Sequence, residues 1–139
     1  MDISIGELAT RAATKVQTIR YYEQIGLLPM PARSSGNQRR YDKVSLGRLV
    51  FIRHGREMGF PLEAIRSLLA MSDMPGQSCA EADRIARMHL GEVESRIERL
   101  TALKMELQRM IDSCAGGTVS ACRVMDTLAD HRLCAHTSH

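Results

Sequence analysis

Four cysteines and a histidine-rich tail carry the chemistry this sequence offers. Cys79, Cys114 and Cys122 stand in its second half, and Cys134 lies among His131, His136 and His139 at its end. The start, Met1-Asp2-Ile3-Ser4-Ile5, has neither a basic stretch nor an apolar run of the secretory type. No apolar run approaches the roughly 18 residues of a membrane span. A cytoplasmic location without membrane partners is therefore expected, with reduced thiols rather than a disulfide framework. Clustered thiolates are soft ligands, which select Zn(II), Cd(II), Pb(II), Hg(II) or Cu(I) over Mg(II) or Ca(II). Cys134 and the tail histidines are either further ligands, since imidazole suits Zn, or an ordinary chain terminus. No His-Glu-x-x-His or similar constellation occurs, so no enzymatic activity is expected.

The elements that must position these thiols are legible in the pattern. Residues 80–112 hold no Pro and one Gly, Gly91, and predict one long helix. Ala86, Leu90, Val93, Ile97, Leu100, Lys104, Leu107 and Ile111 recur in steps of four and three. That is a coiled-coil seam, which a lone helix cannot bury, so a homodimer is expected. Lys104 interrupts the seam, where it snorkels or sets register. Glu92, Glu94, Arg96, Glu98 and Arg99 form a solvated outer face. Cys79 and Cys114 bracket the helix, about 50 Å apart at 1.5 Å per residue, and cannot share an ion within one subunit. An antiparallel pair of helices brings Cys79 of one chain to Cys114 of the other. The Gly-rich loop 115–121 can fold back and present Cys122, giving two symmetric sites built from both chains.

The first half reads differently. Residues 1–74 carry 11 Lys/Arg against 7 Asp/Glu, whereas residues 75–139 carry 8 against 9, so the net +3 of the chain resides wholly in the first half. Ser4 begins a short helix, with Glu7 completing a capping box. Thr14 is expected to cap a second helix from Lys15 to about Ile25, stopped by Gly26. Two short helices around a tight turn form a helix-turn-helix, whose second helix enters the major groove by its N-terminal residues. Those are Lys15, Val16, Gln17, Thr18, Arg20 and Tyr21, a mixture suited to phosphate and base contacts. A basic hairpin follows, with Arg33, Asn37, Arg39 and Arg40 placed to clasp the sugar-phosphate backbone, and Tyr41 as either a phosphate ligand or a packed anchor. At least one of Tyr21, Tyr22 and Tyr41 is expected to be mainly structural. Residues 43–58 and Leu62 to about Met71 predict a second helical pair, broken at Gly59-Phe60-Pro61. Aromatic residues make up only 4%, which argues against a β-sandwich and for a mainly α fold.

The residues resemble the MerR family of bacterial transcription regulators. The resemblance rests on Ile5-Gly6-Glu7-Leu8-Ala9, Thr18-Ile19-Arg20-Tyr21-Tyr22-Glu23, Gly26-Leu27-Leu28, Pro31-Ala32-Arg33, Gly36-Asn37-Gln38-Arg39-Arg40-Tyr41, Phe51-Ile52-Arg53, Met58-Gly59-Phe60-Pro61-Leu62 and Ile65-Arg66-Ser67-Leu68-Leu69. It implies a winged helix-turn-helix domain over residues 1–74, a dimerisation helix over 75–113, and a metal-binding loop and tail over 114–139. It also implies a mechanism. The dimer sits on an overlong promoter spacer, and effector binding makes it distort the DNA so that RNA polymerase can start.

The metal-sensing branch is the part of the family the thiols resemble. Its copper, silver and gold sensors usually carry Ser at the position of Cys79, leaving a linear two-thiolate site for a +1 ion. Its sensors of Zn, Cd, Pb and Hg usually carry Cys, and a third thiolate also offsets a +2 charge. Cys79 therefore favours a divalent ion at a metal resistance or efflux promoter. The seven residues between Cys114 and Cys122 are reminiscent of the copper-type loop, which keeps Cu(I), Ag(I) or Au(I) as the alternative. A thiol redox sensor is a weaker one, because iron–sulfur members of the family concentrate four cysteines in a short C-terminal stretch. A drug-sensing member needs a large ligand domain for which 139 residues leave no room.

Overall fold

The computed structural model describes residues 2–33, 36, 39–114, 116–119 and 122–130, and the side chains of these except Ala32 and Arg39. Its order is α1 (Ile5–Arg11), α2 (Val16–Gln24), β1 (Ala32–Arg33), β2 (Arg39–Arg40), α3 (Lys43–Glu57), α4 (Leu62–Ser72), α5 (Ala80–Asp112) and α6 (Arg123–Ala129). The chain divides into two units, Met1–Ile85 and Ala86–His139. Among the described residues, no helix is long and apolar enough to cross a membrane.

Local chemistry explains where the helices of the first unit start and stop. Ser4 caps α1 as expected, its Oγ accepting the Glu7 amide at 3.2 Å. Glu7 does not return a capping-box bond to Ser4; its carboxylate meets Arg11 at 3.1 Å instead. The turn after α1 places Ala13 at φ +50, with Thr14 N–H donating to the Ala9 carbonyl at 3.0 Å. This corrects the expected cap of α2. Lys15 occupies the N-cap position without a side-chain bond, and Thr14 Oγ1 donates back to the Ala12 carbonyl. The hydroxyl is thus engaged in closing the turn rather than in receiving an α2 amide.

α2 ends at Gly26, which reaches φ +77. The Leu27 amide donates to the Tyr22 carbonyl and the Gly26 amide to that of Glu23, a Schellman motif that needs the left-handed residue Gly supplies. Arg66 of α4 donates to the Ile25 carbonyl at 2.9 Å, satisfying another acceptor at this helix end. α3 is capped by Asp42, whose carboxylate accepts the Ser45 amide at 3.0 Å; that amide holds the Asp42 carboxyl below the usual carboxylate range. α3 closes like α2, with the Phe60 amide bonded to the Gly55 carbonyl.

These ends aim the apolar faces inward. Leu8, Ile19, Leu27, Leu28, Tyr41, Leu49, Ile52 and Ile65 are fully buried in one core cluster. Each such Leu or Ile contributes about 1.5–3 kcal/mol when taken out of water. β1 and β2 pair antiparallel, with Ala32 opposite Arg40 and Arg33 opposite Arg39. The ribbon is anchored at its base by paired backbone bonds of 2.9 Å each way between Ile3 and Tyr41.

In the second unit, Glu106 and Met110 of α5 and Thr127 of α6 are buried, and Arg109 is bonded to Glu106. The seam residues of α5 are not covered: Leu90 and Ile97 are 56% exposed and Leu100 63%.

Candidate nucleic-acid interface and metal centre

α2 has two unlike faces. Ile19, Tyr22 and Glu23 are buried, whereas Gln17, Arg20, Tyr21 and Gln24 are exposed. The exposed set recurs at the three- and four-residue spacing of one helical face, so it presents amide, guanidinium and phenol groups together. Lys15 stands exposed at the start of this helix, and Val16 and Thr18 are half-buried beside it. Gln24 was absent from the sequence-derived set. The 17, 20, 21, 24 periodicity is the signal that finds it.

The ribbon adds Arg33, exposed on β1, and Arg40, half-buried on β2 with Nη2 donating to the Asp2 carbonyl at 2.9 Å. Both line a cleft of about 390 Å³ with Asp2, Pro31, Asp42 and Ser45. Arg39 lies on β2 with its side chain outside the described set, and Asn37 lies outside the described residues.

Tyr41 departs from the role of phosphate ligand. It is 1% exposed, and its hydroxyl donates to Glu23 Oε2 at 2.8 Å. It is the packed anchor instead, and Tyr21, at 48% exposure, is the tyrosine that faces outward. Arg53 and Arg56 on α3 are engaged within the chain, Arg53 with Glu57 at 3.0 Å and Arg56 with the Phe60 carbonyl at 3.1 Å.

The thiols fall into two places. Cys79 is exposed immediately before α5, and its carbonyl accepts the Asp83 amide, the first bond of that helix. Cys114 is exposed just past the end of α5. Gly116 and Gly117 both take positive φ, +77 and +99, and turn the chain sharply after it. Cys122 then occupies the N-cap position of α6. No amide makes a full capping bond to its sulfur. The Met125 and Val124 N–H dipoles still lie close enough to favour its thiolate, and the nearby Cys114 thiol favours it too. Together they pull the Cys122 thiol below the ordinary thiol range, against burial and the nearby Asp126 carboxylate. Cys114 and Cys122 therefore form a side-by-side pair of soft donors, one of them biased toward the ligating form. Among the described residues, no group of three or more His, Cys, Asp or Glu side chains is placed to hold a metal ion. Cys134, His131, His136 and His139 lie outside the described residues.

Two family models match this chain. One, described as "MerR HTH family regulatory protein", matches residues 3–72, and the other, "MerR, DNA binding", matches residues 46–110. The chain belongs to the MerR family. The HTH-type transcriptional regulator ZntR of Escherichia coli (strain K12) is 41% identical over 127 residues, covering 89% of this MerR chain and 90% of its own length. The crystal structure of the transcription regulator PbrR691 from Ralstonia metallidurans CH34 in complex with lead(II) superposes with a TM-score of 0.80 at 42% identity, covering 91% of this chain and 98% of that one. A MerR from Bacillus megaterium MB1 in complex with mercury(II) gives a TM-score of 0.71 at 26% identity, covering 91% and 99%. These relatives are transcriptional regulators, so a chain of this family acts by binding and not by catalysis.

Proposed function

We propose that this MerR-family protein is a metal-responsive transcriptional regulator that activates a metal resistance or efflux promoter on binding a thiophilic divalent ion, Zn(II), Cd(II), Pb(II) or Hg(II). The observation that carries the reading is the Cys114–Cys122 pair, two soft donors held together with one biased toward thiolate. Relatives described with lead(II) and mercury(II) support the same ligand class. Cys114 and Cys122 supply two thiolates, and the partner's Cys79 supplies the third, which offsets the +2 charge and joins the two chains. Bound there, the ion supplies a cross-link between subunits. Cys134 and the tail histidines are candidates for further ligands.

The remaining work belongs to the chain. The exposed seam of α5 pairs antiparallel with a second copy, making the regulator a dimer. Residues 1–74 read promoter DNA through Lys15, Val16, Gln17, Thr18, Arg20 and Tyr21, with Arg33, Asn37, Arg39 and Arg40 gripping the backbone. Residues 75–113 dimerise, and residues 114–139 sense. A change in dimer geometry alters the spacing of the two reading heads, and promoter DNA bends to follow so that RNA polymerase engages.

A second reading, a Cu(I) regulator, is favoured by one observation: among the described residues of one chain the paired donors number two, which suits a linear +1 site. Titration of the purified protein with Pb(II), Zn(II) and Cu(I), followed by thiolate-to-metal absorbance and promoter transcription, separates the two. In the divalent reading, Cys79→Ser loses the Pb(II) and Zn(II) response. Retention of a Cu(I) response with no divalent response in the unaltered protein overturns it. Cys114→Ser or Cys122→Ser removes metal-induced transcription and keeps DNA binding.

A further inference from the structure

Lys104 stands at a seam position of α5, where an apolar residue is the rule. Glu94, counted above with the outer face, directly follows the seam residue Val93 and so borders the seam. Neither has an opposite charge three or four residues away along the helix. Among the described residues, neither side chain forms an ion pair or hydrogen bond within the chain, unlike the Arg84–Glu81 and Arg109–Glu106 pairs of the same helix. The apolar seam around them is uncovered.

The seam spacing is itself two-fold symmetric. Read from either end, its steps are four, three, four, three, four, three and four. A second copy laid antiparallel therefore matches every step when Ile97 lies level with the partner's Leu100 and Leu90 with the partner's Leu107. This is an isologous contact in which the same surface serves both chains. Lys104 then falls level with the partner's Val93. In antiparallel pairing, the positions flanking one side of the seam meet their equivalents on the partner. The partner's Glu94 consequently lies on the same side as Lys104, about one residue rise of 1.5 Å away along the axis.

We propose that Lys104 and the partner's Glu94 form reciprocal interhelical ion pairs, two per dimer, that fix the antiparallel register of α5. Shifting the register by a heptad takes Lys104 away from Glu94 and leaves it against apolar residues. The register rests on the dimer of the reading above and deepens it. Continued along the same axis, it brings the partner's Cys79 about four residue rises, roughly 6 Å, beyond the level of Cys114, at the end of α5 where the loop to Cys122 starts. The intersubunit thiol site is thus set by a charge pair remote from it.

The test is a double-mutant cycle on the full chain without metal, with the dimer dissociation constant measured by sedimentation equilibrium and helix content by circular dichroism. Glu94→Gln weakens the unaltered dimer about tenfold, as two coupled charge pairs would, but shifts it less than about twofold in a Lys104→Met background. An equal shift in both backgrounds overturns the pairing. If a neutral variant loses helix content, the charge exchange decides: Lys104→Glu alone dissociates the dimer and Lys104→Glu with Glu94→Lys restores it, whereas a double variant weaker than either single change overturns the proposal. Dimerisation is read metal-free. A protein that fails to bind Pb(II) but shows the coupling therefore overturns only the metal reading, and one that binds Pb(II) without coupling overturns only the register.

Discussion

The Tyr41 hydroxyl donates to Glu23 Oε2 at 2.8 Å, with both residues inside the core. This bond joins the C-terminal end of the candidate recognition helix to the base of the basic ribbon, where Tyr41 is also paired through its backbone to Ile3. The two elements proposed to face DNA are thereby held in one geometry. Tyr41→Phe removes one donor from the buried Glu23 carboxyl, at a cost of about 1–3 kcal/mol for a bond lost at a buried polar group. The urea midpoint of the DNA-binding unit should fall, and operator affinity with it. An unchanged midpoint means that Glu23 does not depend on this bond.

Ala13 carries φ +50 in the turn of the helix-turn-helix, a conformation that costs an L-residue about 1–2 kcal/mol. Ala13→Gly relieves that strain and adds back part of the cost as unfolded-state entropy. A net gain of about 0.5–1 kcal/mol in stability is expected, readable as a higher melting temperature with operator affinity retained.

The Cys122 thiol is lowered by the Met125 and Val124 amides and by the Cys114 thiol. Because folding lowers it, its contribution to stability is complete above the ordinary thiol range and is lost as pH falls through the folded value. The alkylation rate of Cys122 in the metal-free folded chain should rise at lower pH than in the urea-unfolded chain. Asp126→Asn removes a charge that opposes the thiolate, and should displace the profile further down. Coincident folded and unfolded profiles would show that the amides do not act on this sulfur.

Arg20 is exposed on the same face of α2 as Gln17 and Tyr21. Arg20→Ala should weaken operator binding by about 1–3 kcal/mol for each reading head, with and without metal. If Arg20 meets phosphate, the salt dependence of binding flattens by about one unit per head; if it meets a base, discrimination between operator variants relaxes instead. Equal affinity of the variant and the unaltered protein removes Arg20 from the interface.

Much of the scaffold was legible from neighbours in sequence. Ser4 as a cap, Gly26 as a stop and the helix over residues 80–112 depend on local hydrogen bonding, propensity and periodicity, which short stretches of chain encode. The seam of α5 and the asymmetry of charge between the two halves were readable for the same reason. The cap of α2 was not, because Thr14 had two competing acceptor and donor arrangements and the turn selected the bond to Ala12.

The sequence by itself determined which residue types this chain has for its chemistry: three thiols spaced around one long helix, and arginines gathered in the first half. Only the tertiary structure decided what each one does. Three tyrosines of equal chemistry were separated into one exposed phenol, Tyr21, and two buried ones, because burial depends on contacts far apart along the chain. Cys114 and Cys122 became a pair, with Cys122 biased toward thiolate, because a turn at Gly116 and Gly117 and the first amides of α6 converge on one sulfur. Spacing alone sets how far a side chain can reach. The electrostatic environment it reaches is set by the fold.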